Sequence, residues 1–351
     1  MPRDGRLIRI ALALAAAALV AGLTVASAGA AGKRSNATLS GAGSSLIAPA
    51  VAQWQQLYTG AQINYSAIGS GGGIQAISHR TVDFGASDAP FTKSQAAGCH
   101  GCFQIPWALT ATIPIYNIPG VPDHKLRLTG KVLAEIYLGK IKSWSDPAIR
   151  ALNKGLGLPN KSITVVHRSD GSGDTYVFTN YLSKVDRTWK HQVGCATTVS
   201  WPVGVGGSKN AGVASLVRTT PGSIGYVSDF YAIQNHISKA RLKNASNRYV
   251  LPKVDSIEAA AQLVKASKIP ASNKISITNP PKSKKFQNAW PMSTFTYVLV
   301  PQSTAKAPEL KAFVAWALGS KAQSSIKKLV FAPLPPVVVK AAKKTLARIH
   351  S

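Results

Sequence analysis

The stretch HRSDGSGDTYVF, residues 167–178, sets one arginine and two carboxylates in a turn of Gly and Ser that runs straight into an apolar-periodic segment. Arg168, Asp170 and Asp174 crowd together in a chain with only 13 Asp and Glu against 41 Lys and Arg, so two acids in one short loop need a reason. The same local plan occurs twice more, in GAGSSL (41–46) and GSGGGIQAI (69–77). In each, Gly and small hydroxyl residues open a helix, where backbone N–H groups lack intrahelical partners and the helix dipole is positive. Gly lets the backbone approach an anion closely, Ser45, Ser70 and Ser172 add hydroxyl donors, and Arg168 adds a planar fork suited to an oxyanion. One such turn is ordinary cap chemistry. Three of them, one beside Arg168, point to an oxyanion site.

Around these turns, strand-like and helix-like segments alternate, which is the pattern of an α/β fold. INYSAIG (63–69) alternates as a strand does, while Val51, Trp54, Leu57 and Tyr58 of VAQWQQLY share one helical face. Thr129 and Asp146 read as helix caps, the latter with Pro147 at the first helical position, and Asp255 with Glu258 has capping-box spacing. Two extended stretches, TIPIYNIPG (112–120) and PMSTFTYVLVP (291–301), bracket the middle of the chain. If both cross between lobes, the chain ends form one lobe, the middle forms the other, and a ligand cleft lies between them.

The 351 residues suffice for two ordinary domains, and 45% apolar content is ample for buried cores. Arg3, Arg6 and Arg9 precede an apolar run from Ile10 to Val25 and then ASAGAAG. This is the plan of a secretory signal peptide over residues 1–30, cleaved after Ala28 or Ala30. A membrane anchor is the alternative, and the run is short of the roughly 20 residues a span needs. No Cys follows the run, so a soluble exported protein is expected rather than a lipid-anchored one. Removing residues 1–30 takes away three Arg and one Asp and lowers the formal charge from +28 to +26. Such a field favours anionic partners without choosing among them.

Three cysteines in an exported chain suggest one disulfide and one free thiol. Cys99 and Cys102 in GCHGC can close a tight loop, with a pairing of Cys195 as the rival. No second CxxC or HxxxH completes a zinc site, and no metal or other cofactor is expected. The chain has no GxxxxGK[ST], no HExxH and no GxSxG, and thus no recognisable nucleophile and base. GVGGSKNAGV (204–213) lacks dinucleotide-fingerprint spacing and reads as a turn into a helix.

Several segments in order, LSGAGSSLIAPAVAQWQQLY, INYSAIGSGGGIQAISHRTVDFGASDAPF, LAEIYLGKIKSWSDPAI, HRSDGSGDTYVFTNYLSKV and SWPVGVGGSKNAGVASLV, followed by PGSIGYV, resemble the phosphate-binding proteins (PstS family) of ABC-type phosphate importers. The resemblance spans nearly the whole chain after the signal peptide, and VDFGASDAP and RSDGSGD are specific motifs. It implies an α/β, two-lobed periplasmic-binding-protein fold of type II, each lobe a β-sheet flanked by helices, with the ligand cleft between lobes. Lobe I would be 31–113 with 291–351, and lobe II 114–290. It implies a monomeric periplasmic or secreted protein, not an enzyme, that captures inorganic phosphate and delivers it to a membrane ABC permease, with no nucleic acid involved. A secreted phosphatase using the same pocket, or a basic surface protein binding anionic polymers, are the alternatives.

Carried over by position, the resemblance implies that Ser45 binds phosphate through hydroxyl and backbone, Leu46 through its N–H, and Ser70 through its hydroxyl. Asp88 matches the carboxylate that accepts a proton-bearing phosphate oxygen, Arg168 the phosphate-contacting arginine and Asp170 the carboxylate that steadies it. Ser172 and Gly173 match the donors at the helix start. Asp174 stands where many members have Thr, so a simple donor role does not transfer to it. The alternative for Asp174 is that it points away and caps its helix.

Overall fold

The structure is a computed structural model that describes residues 37–351; the expected signal peptide lies outside the described residues. Twelve strands are described: β1 Thr38–Gly43, β2 Gln62–Ala67, β3 Phe84–Ser87, β4 Cys102–Asn117, β5 Arg127–Leu128, β6 Thr164–Arg168, β7 Val205–Gly207, β8 Ser223–Ser228, β9 Ser238–Lys239, β10 Arg241–Lys243, β11 Tyr249–Val250 and β12 Ser293–Pro301. The main sheet runs β2-β1-β3-β12-β4-β8-β6-β7, with β9 also on β4; β11-β10-β5 form a small second sheet.

β4 makes this sheet two-lobed. Residues 102–111 pair antiparallel with β12, whereas 112–117 pair antiparallel with β8. A single 16-residue strand thus belongs to both halves, and all but its end residues are buried, as expected of a strand covered on both faces. Its two prolines are tolerated locally. Pro106 sits at a register shift opposite Thr296 and Tyr297, where Trp107 is the extra residue. TIPIYNIPG is therefore the second half of a longer strand. PMSTFTYVLVP does not cross: among the described residues β12 pairs only with β3 and the first part of β4.

Each half has its own aromatic core. Trp54, Phe84, Trp107 and Phe313 meet edge-on or tilted beside β3 and β12, while Tyr137, Phe178, Trp201 and Tyr226 cluster beside β6 and β8. The helices show familiar end chemistry. The Thr129 hydroxyl accepts from Val132 N, and the Asp146 carboxylate accepts from Ala148 N ahead of Pro147, caps worth about 1 kcal/mol each. The Asp255–Glu258 capping box is not formed. That helix, Val254–Ala261, starts one residue earlier, so Asp255 lies inside its first turn and the Ser256 hydroxyl accepts Lys253 N instead. Cys99 and Cys102 are joined as a disulfide, and Cys195 is free and exposed.

The topology also fixes where a ligand can sit. β1, β2 and β3 are mutually parallel in one half, and β6, β7 and β8 in the other. The residues just beyond their carboxyl ends, 44–46, 69–70, 88, 168–174 and 209–210, converge, and such strand ends are where open α/β sheets bind ligands.

Candidate oxyanion site at the strand ends

The first half supplies a carboxylate held by hydroxyls. Asp88 follows β3 directly and is 1% exposed. Its Oδ2 accepts Ser44 Oγ at 2.6 Å and Ser70 Oγ at 3.3 Å. Its Oδ1 is buried and has no hydrogen-bond partner among the described residues. Burial, then the charge of Asp174, pushes the Asp88 pKa up to about 7, against the pull of Ser44, Arg168 and Ser70. Ser70 opens the helix Ser70–Ser78; its Oγ also accepts Asp88 N at 3.2 Å and, from the other half, Gly173 N at 3.0 Å. Gly173 must be glycine here, because a Cβ would run into the Asp88 carboxylate.

The second half supplies the cation. Arg168 ends β6, with a side chain 1% exposed. Its Nε and Nη2 donate to Asp170 Oδ1 and Oδ2 at 2.8 and 2.5 Å, and its Nη1 donates to Asp174 Oδ2 at 3.1 Å. Burial alone would lower the Arg168 pKa, but the bonds to Asp170 and the charges of both aspartates outweigh it and raise it. Burial likewise would raise Asp170; the bonds and charge of Arg168 and the Lys209 N–H overcome that and hold Asp170 below its ordinary range. Asp174 does not point away. It is 1% exposed, its Oδ1 accepts Thr112 Oγ1 at 2.7 Å, and its Oδ2 also accepts Asn210 Nδ2 at 2.7 Å. Burial raises its pKa, while Arg168, Thr112 and Asn210 oppose the shift.

Ser172 caps the helix Gly173–Val185, its Oγ accepting Thr175 N at 3.2 Å. Leu46 N–H donates to Ser44 Oγ at 3.0 Å and its side chain is fully buried. Ser45 Oγ accepts Asn210 Nδ2 at 3.0 Å and Asn210 N at 3.3 Å. All nine residues read from the sequence therefore gather in one cluster, buried except for the partly exposed Asp170, and the halves meet over it: Gly71 N donates to Gly171 O at 2.8 Å and Tyr231 Oη to Ser45 O at 3.0 Å.

Several partners were missed, Asn210, Ser44, Thr112 and Tyr231 among them. Asn210 lies in the segment read only as a turn into a helix, although it shares the Gly- and Ser-rich helix start of the other three. Ser44 stands beside Ser45, and no sequence signal separates the two. Thr112 and Tyr231 carry no signal at all.

The fold and this constellation define a class, the two-lobed solute-binding proteins, and the sequence matches the PBP superfamily domain over residues 28–321. The chain is 45% identical over 308 residues to the phosphate-binding protein PstS of Xylella fastidiosa strain Temecula1, covering 86% of this chain and 83% of that one. It is 43% identical over 312 residues to the PstS of Haemophilus influenzae, covering 87% and 91%. The chain belongs to the PstS family of phosphate-binding proteins. Its fold also resembles a high-affinity periplasmic phosphate-binding protein (PfluDING) solved with phosphate, with a TM-score of 0.71 at 20% identity over 88% of this chain and 93% of that one.

Proposed function

We propose that this chain is a solute-binding protein, not an enzyme, that closes over one inorganic phosphate and delivers it to an ABC permease. The observation that carries this reading is the buried, unpartnered Oδ1 of Asp88 in a cluster otherwise rich in donors. A buried acceptor left unpaired is costly. A ligand that presents bare oxygens to Arg168 and the hydroxyls, and one proton to Asp88, satisfies every group. Phosphate near neutral pH is such a ligand; sulfate has the shape but no proton, and meets Asp88 only with repulsion. Ser45, Leu46, Ser70 and Asp88 contribute from lobe I, and Arg168, Ser172, Gly173 and Asp174 from lobe II, with Asp170 orienting Arg168.

On this reading the lobes divide at 113/114 and 290/291, the first of these two residues past the point between 111 and 112 where β4 changes partner. The protein works as an exported, periplasmic or secreted monomer after loss of residues 1–30, and among the described residues no helix is long and apolar enough to cross a membrane.

The test is direct. Purified protein, denatured and assayed, releases one phosphate per chain; after stripping, calorimetry shows phosphate binding and no sulfate binding at equal concentration. Comparable affinities for the two anions would overturn the assignment.

A further inference from the structure

Asn210 is fully buried at the start of the helix Lys209–Thr219, and each of its polar atoms is committed. Ser228 N–H donates to Asn210 Oδ1 at 2.7 Å. Because a backbone N–H only donates, this bond settles which end of the amide is oxygen, and Nδ2 must face the site. There Nδ2 donates to Ser45 Oγ at 3.0 Å and to Asp174 Oδ2 at 2.7 Å, and Asn210 N–H adds a second, 3.3 Å bond to Ser45 Oγ.

A serine hydroxyl has two acceptor lone pairs and one proton. With both lone pairs taken by Asn210, Ser45 retains only its proton, which finds no acceptor among the described residues. We propose that Asn210 is a positioning residue that turns Ser45 into an obligate hydrogen-bond donor toward the ligand. Ser45 and Asn210 lie 165 positions apart, on opposite halves of the sheet. The constraint therefore forms only when the halves meet, and it ties closure to a ligand that offers a bare oxygen at Ser45. Asp88 demands the opposite, a proton. Closure then requires one protonated and one unprotonated oxygen on the same ligand, a stricter condition than either residue imposes alone.

The inference rests on the phosphate reading of the site, and a double-mutant cycle separates the two. Phosphate affinity is measured by calorimetry for wild type, Ser45→Ala, Asn210→Ala and the double variant. Asn210→Ala weakens binding about tenfold or more in the wild-type background. In the Ser45→Ala background its effect shrinks by at least about threefold, because the group it positions is gone. An equal fold-loss in both backgrounds shows that Asn210 acts on the helix or on Asp174 alone and overturns the inference while leaving the phosphate reading intact. Failure of the wild type to bind phosphate overturns both. If urea unfolding shows that Asn210→Ala does not fold, Asn210→Ser, which keeps a single donor, takes its place in the cycle with the same deciding comparison.

Discussion

Asp88 and Asp174 are both about 1% exposed, lie in opposite halves of the site and are close enough that the charge of Asp174 helps raise the Asp88 pKa, yet their surroundings differ in kind. Asp174 has a guanidinium, an amide and a hydroxyl on its two oxygens. Asp88 has two hydroxyls on one oxygen and, among the described residues, nothing on the other. A buried carboxylate with a cation and two further donors is stable as an ion; one with an orphan oxygen is not, and gains most from a proton. The lesson is that two aspartates in one buried cluster differ by donor count: Asp174 is mainly counter-ion to Arg168, whereas Asp88 keeps one acceptor unpaired among the described residues, the one that the proposed function assigns to the ligand.

The comparison breaks most severely if its cation is removed. Arg168→Ala leaves the buried Asp174 without its cation and the partly exposed Asp170 without its main partner, and breaking a buried pair from one side costs about 3–5 kcal/mol. Phosphate binding is expected to fall by about a thousandfold or more in calorimetry, and the urea midpoint to fall with it. A variant that keeps wild-type affinity would place the ligand elsewhere.

Next in size is Asp88→Asn, which swaps the orphan acceptor for an amide that also donates. Phosphate affinity falls about a hundredfold, and sulfate, no longer repelled, binds measurably. The same variant tests the ionisation argument without ligand. Folded Asp88 titrates at about 7 against an ordinary 3.8, so between these values the folded state holds a proton that the unfolded state has lost. Stability of the phosphate-free protein therefore falls as pH rises through that window, with Asp174 acting in the same direction. Thermal unfolding from about pH 4 to about pH 8 should show a declining Tm in wild type and a flatter one in Asp88→Asn. Burial lowers the pKa of His124 and His167 and works in the opposite direction, so the deciding comparison is between the two proteins: the same Tm–pH slope in wild type and Asp88→Asn would mean that Asp88 is ionised throughout.

How much of this contrast the sequence discloses depends on how local each signal is. Arg168, Asp170 and Ser172 are legible because they sit in one Gly- and Ser-rich turn before a helix, and turn chemistry acts over a few residues. Asp88 is legible only through the resemblance carried by VDFGASDAP; composition gives no hint that one of its oxygens is orphaned. Asn210, Thr112 and Tyr231 reach the site from segments 36, 62 and 186 positions away from the groups they touch, and only the sheet order brings them there. The length of β4 is hidden for a related reason: Pro106 and Pro114 argue locally against a central strand, and a bulge with Trp107 as its extra residue accommodates the first of them.

The smallest expected effect belongs to Asp174→Thr, which puts a hydroxyl in place of the second carboxylate and sharpens the contrast between the two acids. Threonine can still accept from one neighbour, and Arg168 keeps its two bonds to Asp170, so the loss of affinity should stay within about tenfold, well short of that for Arg168→Ala. The pH profile is more telling. With Asp174 present, the pocket holds one negative charge more, and a ligand that brings an extra proton fits better. Affinity should therefore fall as pH rises through the second ionisation of phosphate. Removing that charge also withdraws one of the two influences that raise Asp88, so Asp88 ionises more readily and can accept the single proton of the dibasic ion. Both consequences flatten the slope. Calorimetric titrations of wild type and Asp174→Thr at several pH values decide the matter, and identical profiles would show that Asp174 serves Arg168 alone and never senses the charge of the ligand.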